Sequence, residues 1–186
     1  MLGTIGSLVA DSAETTGLKW AAPSSGSLTS LATGSLSTNS VTISGISSSY
    51  THLQLFLYDF FADNNADLYL RLNGDTGSNY GYCSMQNPDS AVSFSGVGAT
   101  EIRVCRTVQN QTRDNAAVFN IYNYADTNAF KCFNWNFNYY RGNNNRYETG
   151  QGAGGYNSTS AISSIRIFNE STHTFQGGSY ILYGVK

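Results

Sequence analysis

The segment from Phe130 to Tyr140, FKCFNWNFNYY, places Phe133, Trp135, Phe137 and Tyr139 at alternate positions, with Asn134, Asn136 and Asn138 between them. Successive side chains of a strand point to opposite faces, so this spacing makes one aromatic face and one amide face. A helix would scatter the same residues around its circumference. A chain carrying such a segment must bury one face of a sheet and leave the other wet, which is the habit of antiparallel sheets.

Other segments repeat the pattern. In HLQLFLYDF, Leu53, Leu55 and Leu57 share one face and Phe56 and Tyr58 the other; in DLYLRLNG, Leu68, Leu70 and Leu72 face inward and Tyr69 and Arg71 outward. The latter ends in Asn73-Gly74, a pair suited to a two-residue hairpin turn. VTISGI, TEIRVCRTV, AAVFNIYNY, AISSIRIF and SYILYGV also alternate, with turn residues between them. The sum is about nine or ten strands, as in a sandwich or barrel. No window of helical length carries a 3.6-residue period. The expected fold is all-β, an antiparallel jelly-roll-like sandwich over residues 40–186.

Residues 1–39 read differently. They are mostly Ser, Thr, Gly, Ala and Leu, with a loose Gly-Ser-Leu unit in SSGSLTSLATGSLSTNS. Such a composition predicts an extended attachment arm that orders only against something else. No basic segment leads into an apolar run as in a secretion signal, and no apolar stretch approaches a membrane span, so neither export by that route nor membrane insertion is expected.

Charge excludes some classes of function. Charged residues are 12% of the 186-residue chain and the net charge is -2, against a usual charged fraction of about 25%. With no Lys/Arg cluster to neutralise phosphates, nucleic acid is not an expected partner. Polarity falls to Asn, Ser, Thr and Tyr, which suit neutral ligands. Cys83, Cys105 and Cys132 have no metal-ligand spacing and read as small apolar strand residues, reduced in the cytoplasm where the chain is made.

Candidate chemistry is sparse. His52 and His173 are the only histidines, and no GxSxG turn accompanies them. Most carboxylates, in DNNAD, NGDTG, NPDS and YADTN, sit where Asp bonds the local backbone in turns. Neither DNNAD nor NGDTG has a full calcium-ligand series. No catalytic residue, metal or cofactor is therefore expected. GQGAGG, residues 150–155, matches GxGxxG in letters but opens no helix, and is expected to be a wide loop. It follows RGNNNRYET, the most conspicuous polar-aromatic segment. There Tyr139, Arg141, Asn143, Asn144, Asn145, Arg146 and Tyr147 offer the rings and amides that a sugar needs.

LVADSAETTGLKWAAPSSG resembles a segment that recurs in tail-fibre and related surface proteins of tailed bacteriophages, and the end GGSYILYGVK is similar to the way many of them finish. RLNGDTGSNYGY and IYNYADTNAFKC also resemble internal phrases of that group. The resemblance implies a β-sandwich head domain, homotrimeric, exposed on the virion surface and without catalysis of its own. Leu18, Lys19 and Trp20 then become the attachment element, with Trp20 as an aromatic anchor for a neighbouring virion protein of capsid or tail. In fibres the phrase lies downstream of a long shaft; here it begins at Gly17, so the expected reach from the carrier is short. The expected function is a fibre-like tip binding host-surface glycan, and the alternative is a capsid decoration protein clamped to the phage head by its arm.

Overall fold

The computed structural model describes residues 8–10, 18–20, 28–87, 92–108, 115–141, 146–170 and 172–186. Its strands are β1 (Leu8–Ala10), β2 (Leu18–Trp20), β3 (Leu28–Ser35), β4 (Ser40–Ser44), β5 (His52–Ala62), β6 (Ala66–Leu72), β7 (Tyr80–Asn87), β8 (Val92–Ala99), β9 (Ile102–Val108), β10 (Ala116–Tyr122), β11 (Lys131–Arg141), β12 (Arg146–Tyr156), β13 (Ser164–Asn169) and β14 (Phe175–Val185).

An 8-stranded sheet, ordered β3-β14-β5-β10-β11-β12-β7-β8, packs on a 4-stranded sheet ordered β4-β13-β6-β9. All ladders are antiparallel, and the chain crosses repeatedly from one sheet to the other, giving the expected jelly-roll-like sandwich. Each sheet turns one apolar face inward because its strands alternate. Leu53, Leu55 and Leu57, Leu68, Leu70 and Leu72, and Phe133, Trp135 and Phe137 are all buried, as their spacing predicts. The Trp135 indole stacks on Phe119, ring centres 5.6 Å apart, and donates from Nε1 to the Val104 carbonyl of the opposite sheet at 2.7 Å. That bond removes the cost of burying an unpaired N–H.

Three local expectations need correction. The arm does not run to Asn39: residues 28–35 form β3, the edge strand of the large sheet paired with β14, and Leu36 is buried in the core. Its Ser/Thr-rich sequence hides this because an edge strand buries little, so it needs few apolar residues. Ahead of it, β1 and β2 pair with each other and, among the described residues, with no sandwich strand.

Asn73 and Gly74 do take left-handed φ values of 54° and 64°, as a type I′ turn requires. They nevertheless join β6 to β7, which lie in different sheets. The Asn73 carboxamide holds that crossover by donating to Ala161 O at 2.9 Å and accepting from Ser163 N at 2.8 Å.

The third correction is the segment GQGAGG, which is not a loop but most of strand β12, paired along its length with β11 and β7. Gly150, Gly152 and Gly154 point inward, opposite Phe137, Trp135 and Phe133. A Cβ on any of the three would intrude on the facing ring. Those aromatic rings cover the glycine backbone and supply the burial that glycine cannot.

Candidate functional site: the outer face of the large sheet

Alternation that buries the aromatics of β11 must expose its asparagines, and the ladder registers extend this face across the neighbouring strands. One row of outward residues runs Tyr183, Gln54, Asn120, Asn134, Ala153 and Cys83. The next runs Ile181, Phe56, Val118, Asn136, Gln151 and Met85, and a third ends in Asn138, Thr149 and Asn87.

The amides of this face fall into two groups. Gln54 Nε2 donates to Asn120 Oδ1 at 2.9 Å, and Asn120 Nδ2 to Asn134 Oδ1 at 2.8 Å, forming a ladder across β5, β10 and β11. Asn136, Asn138 and Gln151, one or two rows away, make no side-chain hydrogen bond among the described residues. Each unengaged carboxamide keeps two donor hydrogens and an acceptor oxygen for an outside group.

These free amides border hollows over β12. Its outward residues are Thr149, Gln151, Ala153 and Gly155, so β12 is low between β11 and β7. One depression of about 430 Å³ is lined by Met85, Asn87, Asn136, Thr149 and Gln151. A second, about 390 Å³, shares Met85, Asn136 and Gln151 with it and continues to Cys83 and Ala153. A third of about 190 Å³ lies across β11, against Asn136 and Asn138. Asn136 borders all three, and no charged side chain lines any of them.

One outward row past Asn138 and Thr149, Tyr140 and Tyr147 form an edge-to-face pair with ring centres 5.4 Å apart. Tyr147 is 54% exposed and Met85 55%. The two larger depressions together run from the Ala153–Cys83 row to the Thr149–Asn87 row, four steps along β12, about 13 Å at roughly 3.3 Å per residue.

The glycan residues expected from sequence are thus only partly assembled. Tyr147 stands on the surface as expected. Tyr139 does not: its side chain is 1% exposed and points into the core, where its hydroxyl donates to Glu148 Oε2 at 2.6 Å and accepts from Gln86 Nε2 at 2.8 Å. It shares the inward parity of Trp135, which excludes it from any surface contact. Arg141 and Arg146 form the last backbone pair of the β11–β12 ladder, and Asn143, Asn144 and Asn145 lie outside the described residues. In the arm, Leu18, Lys19 and Trp20 pair through their backbones with Ala10, Val9 and Leu8.

Charge gathers on the opposite face. On the small sheet Arg71 pairs with Glu101 at 2.5 Å and Arg103 with Asp67 at 3.2 Å. The guanidinium groups of Arg71 and Arg166 each lie 5.0 Å from the ring centre of Phe168, which stacks on Tyr69. Carboxylates elsewhere do the turn work expected of them. Asp75 accepts from Gly77 N at 2.7 Å and, on its other oxygen, from Tyr156 OH at 2.8 Å and Asn79 Nδ2 at 2.9 Å. These donors, the Gly77 amide first, hold its pKa below the ordinary aspartate value. His52 Nδ1 accepts from Asn123 N, and His173 Nδ1 lies 3.0 Å from Asp63 Oδ1.

All three cysteines lie on strands, as expected; Cys105 is buried, its thiol pKa raised by desolvation, while Cys83 and Cys132 are exposed. Sequence reasoning also missed Gln54, Asn120, Gln151 and Met85 as members of this face. Their outward parity is visible in the alternation, but their juxtaposition is a matter of strand order. No protein-family model, curated protein or solved structure matches the chain at a significant level, so the amide-lined face itself is what bears on its role.

Proposed function

We propose that the protein is a non-enzymatic structural protein of a tailed-bacteriophage virion: a fibre-like, homotrimeric tip on the particle surface that binds host-surface glycan. The observation that carries this reading is the broad uncharged face of the large sheet, with unengaged amides beside exposed Tyr147 and Met85. Amides bond sugar hydroxyls and apolar groups cover sugar C–H faces, a combination suited to a neutral polar ligand. The phrases at the two ends of the chain, similar to those of phage fibre proteins, support the same role.

The alternative, a capsid decoration protein, draws on the arm. The β1–β2 pair is built apart from both sandwich sheets, which suits a segment that docks on a coat subunit.

Electron microscopy of particles labelled with antibody against this chain separates the two. Label at the tail tip, with the purified protein binding host cells and scattering light as three chains, is the expected result. Label over the head lattice would refute the tip and support decoration, and absence of label would refute both.

A further inference from the structure

We propose that the trough over β12 is a binding site for an uncharged oligosaccharide lying along the strand, with Asn136 and Gln151 as its central hydrogen-bonding groups; this rests on the glycan-binding reading above and gives that reading a place and a ligand class. Asn136 and Gln151 are direct cross-strand partners and border both main depressions. Neither side chain is engaged within the described residues, whereas each amide of the adjacent Gln54–Asn120–Asn134 ladder is bonded to a neighbour. A group that bonds the face therefore meets free amides at the trough and engaged ones beside it.

The ligand class follows from the lining. A carboxylated or sulfated chain would lose hydration against amides with no cation to compensate it, a loss that uncharged hydroxyls avoid. No cation lines either depression, and Arg71, Arg103 and Arg166 sit on the opposite sheet, the first two already facing Glu101 and Asp67. Length favours an oligomer over a single sugar, since the two depressions together run from the Ala153–Cys83 row to the Thr149–Asn87 row, about 13 Å at roughly 3.3 Å per strand residue. Met85 and Tyr147 present the exposed apolar contacts for sugar C–H faces.

The test uses the full chain and calorimetric titration against two sets of probes: uncharged gluco-, galacto-, manno- and N-acetylglucosamine oligosaccharides, and sialylated and uronic-acid oligosaccharides. Binding of an uncharged member, insensitive to salt, is expected. Asn136→Ala and Gln151→Ala should each weaken it by about five- to tenfold, the worth of a net hydrogen bond. Ala153→Tyr, which fills the trough from its wet side, should abolish it without moving the thermal midpoint; should that variant not fold, the two alanine variants decide. Thr42→Ala, exposed on the small sheet, should leave affinity unchanged.

Uncharged-sugar binding lost in Thr42→Ala but retained in Asn136→Ala and Gln151→Ala would overturn the trough while leaving glycan adhesion intact. Binding of acidic probes alone, lost in Arg166→Ala, would overturn both the ligand class and the face. No binding of any probe would overturn this inference, and loss of host-cell attachment by the same preparation would then take the glycan-binding reading with it.

Discussion

Replacing Gly152 by Ala tests the relation between β12 and the core. The Trp135 ring lies over the Gly152 backbone, and an added Cβ would fall well inside contact distance of Cζ2, with Cε2 and Cη2 each 2.6 Å away. Trp135 cannot easily yield: it is 1% exposed, stacked on Phe119 and tied through Nε1 to Val104 O. Overpacking of this kind costs about 1–3 kcal/mol, against which Ala in place of Gly returns about 0.5–1 kcal/mol of chain entropy. With the ring pinned on two sides the cost falls at the upper end, for a net loss of about 2 kcal/mol, or roughly 4–8 °C in Tm for a domain of this size. Gly155 on the same strand is the control, because a Cβ there meets only Lys131 O at an ordinary 3.5 Å. Gly155→Ala should stay within about 0.5 kcal/mol of the parent. Thermal and urea denaturation of both variants provide the comparison. In a Trp135→Phe background the intruding six-membered ring of the indole is gone, so Gly152→Ala should cost less, giving a coupling of about 0.5–3 kcal/mol. Equal midpoints for Gly152→Ala and Gly155→Ala, or a cycle without coupling, would refute the covering of β12 by aromatic rings.

Removal of residues 1–27 should leave the sandwich folded and abolish incorporation into particles, whereas removal of 1–39 should also unfold or strongly destabilise it by stripping β3 and buried Leu36; circular dichroism and a particle-association assay read the two effects separately. Asp75 should contribute to acid stability: its folded pKa lies below the ordinary 3.8, so its stabilisation is fully present above that value and is lost as pH falls through the folded pKa. Denaturation midpoints across this acid range should accordingly fall less steeply in Asp75→Asn than in the parent, and parallel curves would show that the carboxylate is not a source of the pH dependence.

Wherever a strand carries side chains of contrasting polarity, its two faces are legible in the sequence. The Leu triplets of β5 and β6 and the aromatic and amide faces of β11 follow from alternation alone, because a two-residue period maps directly onto two sides of a sheet. Tyr139 shows that parity outranks residue type. Its hydroxyl and its nearness to a polar segment suggest a surface contact, yet its spacing from Trp135 sends it inward to Glu148. Glu148 could have been found by the same rule, since the β11–β12 register pairs it with Tyr139.

Other features belong to the tertiary structure only. Glycine has no side chain and so no face, and GQGAGG becomes a strand because Phe137, Trp135 and Phe133 lie across it. The Ser/Thr-rich run at β3 is a strand because β14 offers it backbone partners, and Asn73-Gly74 joins two sheets because strand order, not turn dihedrals, decides which strands meet. The trough has the same origin: Asn136, Gln151 and Met85 are far apart in sequence and become neighbours only through the order β11-β12-β7. Alternation is a local property that a single segment can state, whereas the choice of neighbouring strand is made by long-range burial of the whole core, and that choice assembles the candidate site.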